Sequence, residues 1–184
     1  MDGIEILVNE HNNIKKMVDL VYRESIKIVN GKEVDVKFFE GFKEFASNYA
    51  DKHHHGKEEK ILFDIMLKKC GPLAETLIRN GMYVEHDLGR MYLRNLGEAL
   101  KNYEDNIDEA RLNIIVNAGS YVDLLKRHID KEDDLVYTFA RRTLSAEDMA
   151  IVNEKTVEFE DEAKVAGTQE KYLKLLEEME KNYE

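Results

Sequence analysis

One proline, Pro72, and ten glycines punctuate a chain of 184 residues, which leaves few places where a helix is obliged to stop. The remainder is rich in Glu, Lys and Leu, whose straight side chains lose little rotamer freedom in a helix. The expected fold class is therefore all-α. Turn signals fall at three points: Asn30-Gly31 closes a first segment, Gly71-Pro72 a second, and Asn102 to Asp108 separates a third from a fourth. Connections this short join antiparallel neighbours, which predicts an up-down-up-down antiparallel four-helix bundle. After Leu144 the run Ser145 to Asp148 has the form of an N-cap with its capping box and predicts one or two short C-terminal helices. The whole chain, 1–184, reads as a single domain, with the bundle over about 3–142 and the helical extension over about 145–184.

The apolar stripes contain histidines. Ile4, Leu7, His11, Ile14, Val18, Val21, Ser25 and Ile28 share one helical face, as do Ile107, Ala110, Ile114, Asn117, Tyr121, Leu124, His128, Glu132, Leu135 and Phe139. His86 lies toward the edge of a face formed by Ile78, Met82, Gly89, Leu93, Leu96 and Leu100. In the second segment Phe38, Phe42, Phe45 and Tyr49 form one stripe and His54, Glu58, Ile61 and Ile65 another, rotated around the helix from it. A π-bulge near residues 50–54 would bring the two onto one inward face.

Each long segment thus supplies one inward histidine. Counted from the shared end of an antiparallel bundle, His54, His86 and His128 lie about 13 to 14 residues in, or roughly 20 Å at 1.5 Å per residue. They fall at one level, and His11 joins them if the first helix begins lower in the bundle. His54 with Glu58 and His128 with Glu132 are spaced four apart, which puts each pair on one face. Two such pairs at matching depth point to a metal site, because a buried carboxylate is costly unless a cation or hydrogen bond offsets its desolvation. Imidazole with carboxylate suits iron, manganese or zinc.

Other chemistries are disfavoured. A formal net charge of −11 does not suit phosphate-backbone binding, so nucleic acid is not an expected partner. No apolar run approaches the roughly 18 residues of a membrane helix, and the acidic start MDGIEILVNEH does not read as a signal peptide, which makes the cytoplasm the expected compartment. Cys70, the one cysteine, excludes an internal disulfide and CxxC chemistry and reads as structural.

Glu10-His11-Asn12-Asn13-Ile14, the stretch ADKHHHGKEEKILF at 50–63, EHDLGRMYL at 85–93 and YVDLLKRHIDKEDDLVY at 121–137 resemble the hemerythrin-like HHE cation-binding domain family, and the resemblance extends to the LSAEDM tail. It implies a four-helix bundle with a non-haem centre of two irons, bridged by two glutamates and an oxo or hydroxo group. Carried over position by position, the metal ligands are His11, His54, Glu58, His86, His128 and Glu132.

The chain departs from the oxygen-carrying members in two places. Arg90 stands where they have a second histidine on the third helix, and Asp64 replaces a proline after the LF of KEExxLFP. The carriers' HxxxxD is matched in spacing by Asp133, but a five-residue step turns Asp133 about 140° from His128 against about 40° for Glu132, which favours Glu132. The missing nitrogen leaves a position that is open or filled by water, a tyrosine or His55, and an open site favours reaction with small molecules. The implied function is a di-iron protein that binds or reacts with O2, NO or peroxide. Beside it stand a di-iron enzyme that decomposes peroxide or donates iron to damaged centres, and a metal-free helical interaction module.

Around these residues, His53 and His55 are expected to be a solvated flank of His54; were His55 the ligand, Glu59 would be its partner. Arg90 is either an exposed ion-pair former or a group orienting Glu58 or Glu132. Tyr121 is a candidate neighbour of the site, although Tyr121 and Tyr49 are first of all core residues.

Overall fold

The computed structural model describes residues 2–103 and 107–183, among which there are six helical runs and no strand. Helix α1, Gly3–Val29, starts where the Asp2 carboxylate accepts from the backbone N–H of Ile4 and Glu5 at 2.9 and 3.2 Å. It ends at Asn30, with Gly31 at φ +86°, a left-handed conformation that glycine adopts without a Cβ clash. Helix α2 runs over 36–69 and α3 over 71–101; between them Gly71 turns the chain at φ +69° and Pro72 opens the new helix. Helix α4 covers 107–143. Part of the expected separator at 102–108, residues 104–106, lies outside the described residues. Two C-terminal helices follow, α5 (Ala146–Val165) and α6 (Thr168–Lys181), and the Ser145 hydroxyl caps α5 by accepting from Asp148 N–H.

Neighbouring long helices run in opposite directions. Along α1 the partners in α4 descend: Asp2 meets Arg141, His11 meets Asp133, Asp19 meets Lys126, and the carbonyl of Ile28 accepts from Arg111. The same reversal pairs Glu10 with His54 and Asn13 with Tyr49 between α1 and α2, and Asp51 with Arg90 and Glu59 with His86 between α2 and α3.

The helices are not uniform. π-helical turns occur at Ala46–His55, Glu58–Leu62, Ile78–Met82 and Glu132–Val136, marked by i→i−5 bonds from the N–H of Gly56, Phe63, Tyr83 and Tyr137. The first matches the phase break expected in the second segment and brings Tyr49 and His54, both 1% exposed, inward together. The last alters the fourth stripe: Leu135 is 50% exposed, while Val136 and Ala140 are fully buried. One residue added to a turn rotates everything beyond it, so the inward face passes from Leu135 and Phe139 to Val136 and Ala140. Ile107, also expected on that face, begins α4 and is exposed.

Two apolar clusters fill the bundle, one around Phe39, Phe42, Leu96 and Ile114, the other around Ile4, Phe63, Ile78 and Val136. Between them lies a polar layer built from His11, His54, Glu58, His86, His128 and Glu132, each no more than 2% exposed. Tyr172, Leu176 and Met179 of α6 extend the first cluster, and Val152 of α5 the second. Gly3 lets α5 approach α1, since a Cβ there would sit 2.8 Å from the Thr156 hydroxyl. Phe39 has no exposed surface, and Phe39→Ala should cost about 3–5 kcal/mol in denaturant unfolding; a loss below about 1 kcal/mol would mean that the first cluster does not carry the stability of that end.

Candidate metal centre

The six residues expected to meet do so, and a seventh joins them. Donor atoms of His11, His54, Glu58 and Glu132 lie within 4.8 Å of one another, as do those of His55, His86 and His128. The two glutamates link the groups. Glu58 Oε2 is 3.6 Å from Nε2 of both His54 and His86. Glu132 has Oε2 at 3.3 Å from His11 Nε2, and Oε1 at 3.2 Å from His128 Nε2 and 3.6 Å from His86 Nε2.

Each imidazole is held from outside by a carboxylate. Nδ1 of His11 donates to Asp133 at 2.7 Å, His54 to Glu10 at 2.9 Å, His86 to Glu59 at 2.7 Å, His128 to Glu85 at 2.9 Å, and His55 makes a longer 3.4 Å contact with Asp51. An ionised carboxylate only accepts, so the ring proton sits on Nδ1 and the lone pair on Nε2 points inward. Burial would raise Asp51, but hydrogen bonds from His55 and Arg90 hold it down at about 2; the bond from His128 brings Glu85 down to about 2 against its own burial. Glu10 is also held well below the usual range despite its burial, by the imidazoles of His53 and His54 and the charge of Lys57.

Inside the ring the order is reversed. Desolvation pushes Glu58 up to about 8 and Glu132 well above the carboxylate range, where the charge of Glu58 adds to it. Burial drives His54 and His86 well below the usual imidazole range, lowers His128, and takes His55 to about 4. Nε2 of His54, His86 and His128, Oε2 of Glu58 and both oxygens of Glu132 are buried with no hydrogen-bond partner. Lone pairs facing one another at 3.2 to 3.6 Å repel unless a proton or a metal cation stands between them, and the convergence of so many donors fits a metal cation. Glu58 Oε1 is satisfied separately, accepting from the Tyr137 hydroxyl at 2.6 Å.

Several expectations about the surroundings need correction. His53 and His55 are 2% and 6% exposed instead of solvated, because the π-helical turn carries both inward. His55 stacks on His86 with ring centroids 3.7 Å apart, and its carboxylate partner is Asp51; Glu59 serves His86. Arg90 does not reach Glu58 or Glu132. It donates to Asp51 at 2.9 Å and Glu59 at 2.8 Å, clamping the carboxylates behind His55 and His86. The tyrosine that enters the site is Tyr137; Tyr121 packs on Phe42, with centroids 5.3 Å apart. Asp133 is outside the ring, behind His11. The outer carboxylates had a weak signal: Glu10 and Glu85 each directly precede an inward histidine.

Fold and site together define a helical-bundle protein with a buried histidine and carboxylate site suited to a cation. The chain matches the model of the hemerythrin HHE cation-binding domain over residues 2–140 and belongs to that family. No curated protein matches it. Among the described residues no helix is long and apolar enough to cross a membrane.

Proposed function

We propose that the chain is a non-haem di-iron protein that binds or reacts with O2 or a related small molecule such as NO or peroxide. His11 and His54 would hold one iron and His55, His86 and His128 the other, with Glu58 and Glu132 shared. The reading rests on the two groups of buried donors, in which Nε2 of His54, His86 and His128, Oε2 of Glu58 and both oxygens of Glu132 have no other partner. When bound, such an iron pair supplies redox-active Lewis acid chemistry to a small ligand. The chain's own residues prepare the place. The outer carboxylates fix each imidazole in the tautomer that presents Nε2, Tyr137 fixes Glu58, and the apolar clusters on both sides limit water. The group with two imidazoles has one nitrogen donor fewer, which makes it the side for a small ligand.

Protein purified without added metal should contain two irons per chain and, once reduced, show visible bands that appear with air and reverse on its removal. Irreversible oxidation would move the reading to peroxide or iron-repair chemistry; absence of metal, with a fold that iron salts neither stabilise nor colour, would overturn it. His55→Ala should weaken one of the two irons by about 10–100-fold or more. Unchanged affinity for both would remove His55 from the ligand set.

A further inference from the structure

Behind His54 lies a second buried cluster, assembled from α1, α2 and α5. Donor atoms of Glu10, His53 and Glu160 come within 4.8 Å of one another. Glu10 Oε1 is 2.9 Å and Glu160 Oε1 3.3 Å from His53 Nε2. Two carboxylates and an imidazole form a donor set for a divalent transition metal. A cation is already there: Lys57, 1% exposed, places Nζ in contact with Glu10 Oε1 and Glu160 Oε1 and 3.0 Å from His53 Nε2. The ammonium donates to both carboxylates and stands against the imidazole edge, so it fills the place between the three donors that a metal ion would take. Lysine is rarely buried to this degree unless paired. Glu160 is itself held by Gln169 of α6, so both C-terminal helices, which lie beyond the matched residues 2–140, help to build the cage.

We propose that Lys57 is a specificity-determining residue: its tethered ammonium occupies a third metal-type cage of Glu10, His53 and Glu160 and thereby excludes a further divalent ion. The exclusion matters because Glu10 serves two groups at once. Its Oε2 accepts from His54 Nδ1 at 2.9 Å while its Oε1 faces the cage. A metal ion in the cage would compete for the carboxylate that orients His54. The consequence for His54 rests on the di-iron reading; the cage itself does not.

The test is a Co2+ titration of the metal-free full-length protein, with bound metal counted by elemental analysis and the fold followed by circular dichroism. Lys57→Met should bind one more Co2+ per chain than the unaltered protein, and its thermal midpoint should rise more on Co2+ addition. Lys57→Arg, which keeps a cation in place, and Lys57→Met combined with Glu160→Gln, which removes a donor, should return to the unaltered number. A folded Lys57→Met that binds no additional ion, or an additional ion that survives Glu160→Gln, would overturn the proposal. If Lys57→Met does not fold, Lys57→Gln, which is polar but uncharged, carries the same expectation and the same refutation. The readout is a difference between variants, so it remains decisive if the unaltered chain binds fewer than two ions, an outcome that would count against the di-iron reading alone.

Discussion

Glu132→Gln should change stability in opposite directions with and without metal. Glu132 faces His11, His86 and His128, so its two oxygens serve both donor groups. Replacing one of them by an amide nitrogen removes a shared anionic donor, and metal affinity should fall by at least about 10–100-fold, the loss typical even of groups that only support a ligand. In the metal-free protein the same change is favourable. Burial and the charge of Glu58 raise Glu132 well above the carboxylate range, which means that its ionised form is held at a cost in the folded chain. A neutral side chain of equal volume relieves that cost, and its amide can donate to an inward imidazole lone pair. The metal-free variant should gain about 1–4 kcal/mol near pH 8, seen as a rise of several degrees in the thermal midpoint. A variant that is less stable without metal and keeps both ions would show that Glu132 is ordinary hydrogen-bonded core and not a ligand.

Metal-free protein should also be most stable near pH 6.5 and lose stability on either side. Glu58 titrates at about 8 in the folded chain against an ordinary value of 4.5, and Glu132 is raised as well. Such groups keep protons that the unfolded chain releases, so their contribution is complete below pH 4.5 and is lost as pH rises, for Glu58 through about 8. The imidazoles act oppositely. His54, His55, His86 and His128 all lie below the ordinary 6.5, so the unfolded chain binds protons that the folded one refuses, and stability falls as pH drops below 6.5. Each uncompensated proton is worth about 1.4 kcal/mol per pH unit. Between pH 4.5 and 6.5 the lowered imidazoles, His54, His55 and His86 foremost, outweigh the two carboxyls, and stability rises with pH; above 6.5 only the carboxyls remain, and it falls. Bound metal requires deprotonated ligands and should abolish the fall above pH 6.5. Urea unfolding of chelator-treated protein at pH 5, 6.5 and 8 decides this, and a steady rise from 5 to 8 would refute the assigned direction for the glutamates.

Both predictions depend on which side chains face inward, and that was only partly legible. Composition and punctuation were enough for the helical class, for the turns at Asn30-Gly31 and Gly71-Pro72, and for the cap at Ser145, because helix propensity, positive φ and capping are local properties. The apolar stripe of α1 passes through His11 as the period predicts, with Ile4, Leu7, Ile14, Val18, Val21 and Ile28 all at 2% exposure or less. The spacing of His54 to Glu58 and of His128 to Glu132 was equally local, and it identified the inward carboxylates.

The tertiary structure decided what a uniform helical period cannot express. Near the site four π-helical turns each add a residue and rotate the chain beyond it, which brings His53 and His55 inside and exchanges Leu135 for Val136. Nothing in the pattern of apolar residues marks all four turns. The carboxylates behind the histidines come largely from other helices: Glu10 for His54, Glu59 for His86, Glu85 for His128 and Asp133 for His11. Arg90 and Lys57 acquire their roles in the same way, by contacts across helices, Lys57 with a glutamate 103 positions away in the chain. Sequence alone determined the helices and the faces that carry His11, His54, His86 and His128, because those follow from neighbours within one turn. Only the packed bundle decided which nitrogen of each ring is free, which anions hold it and where a built-in cation sits, because these depend on contacts between helices.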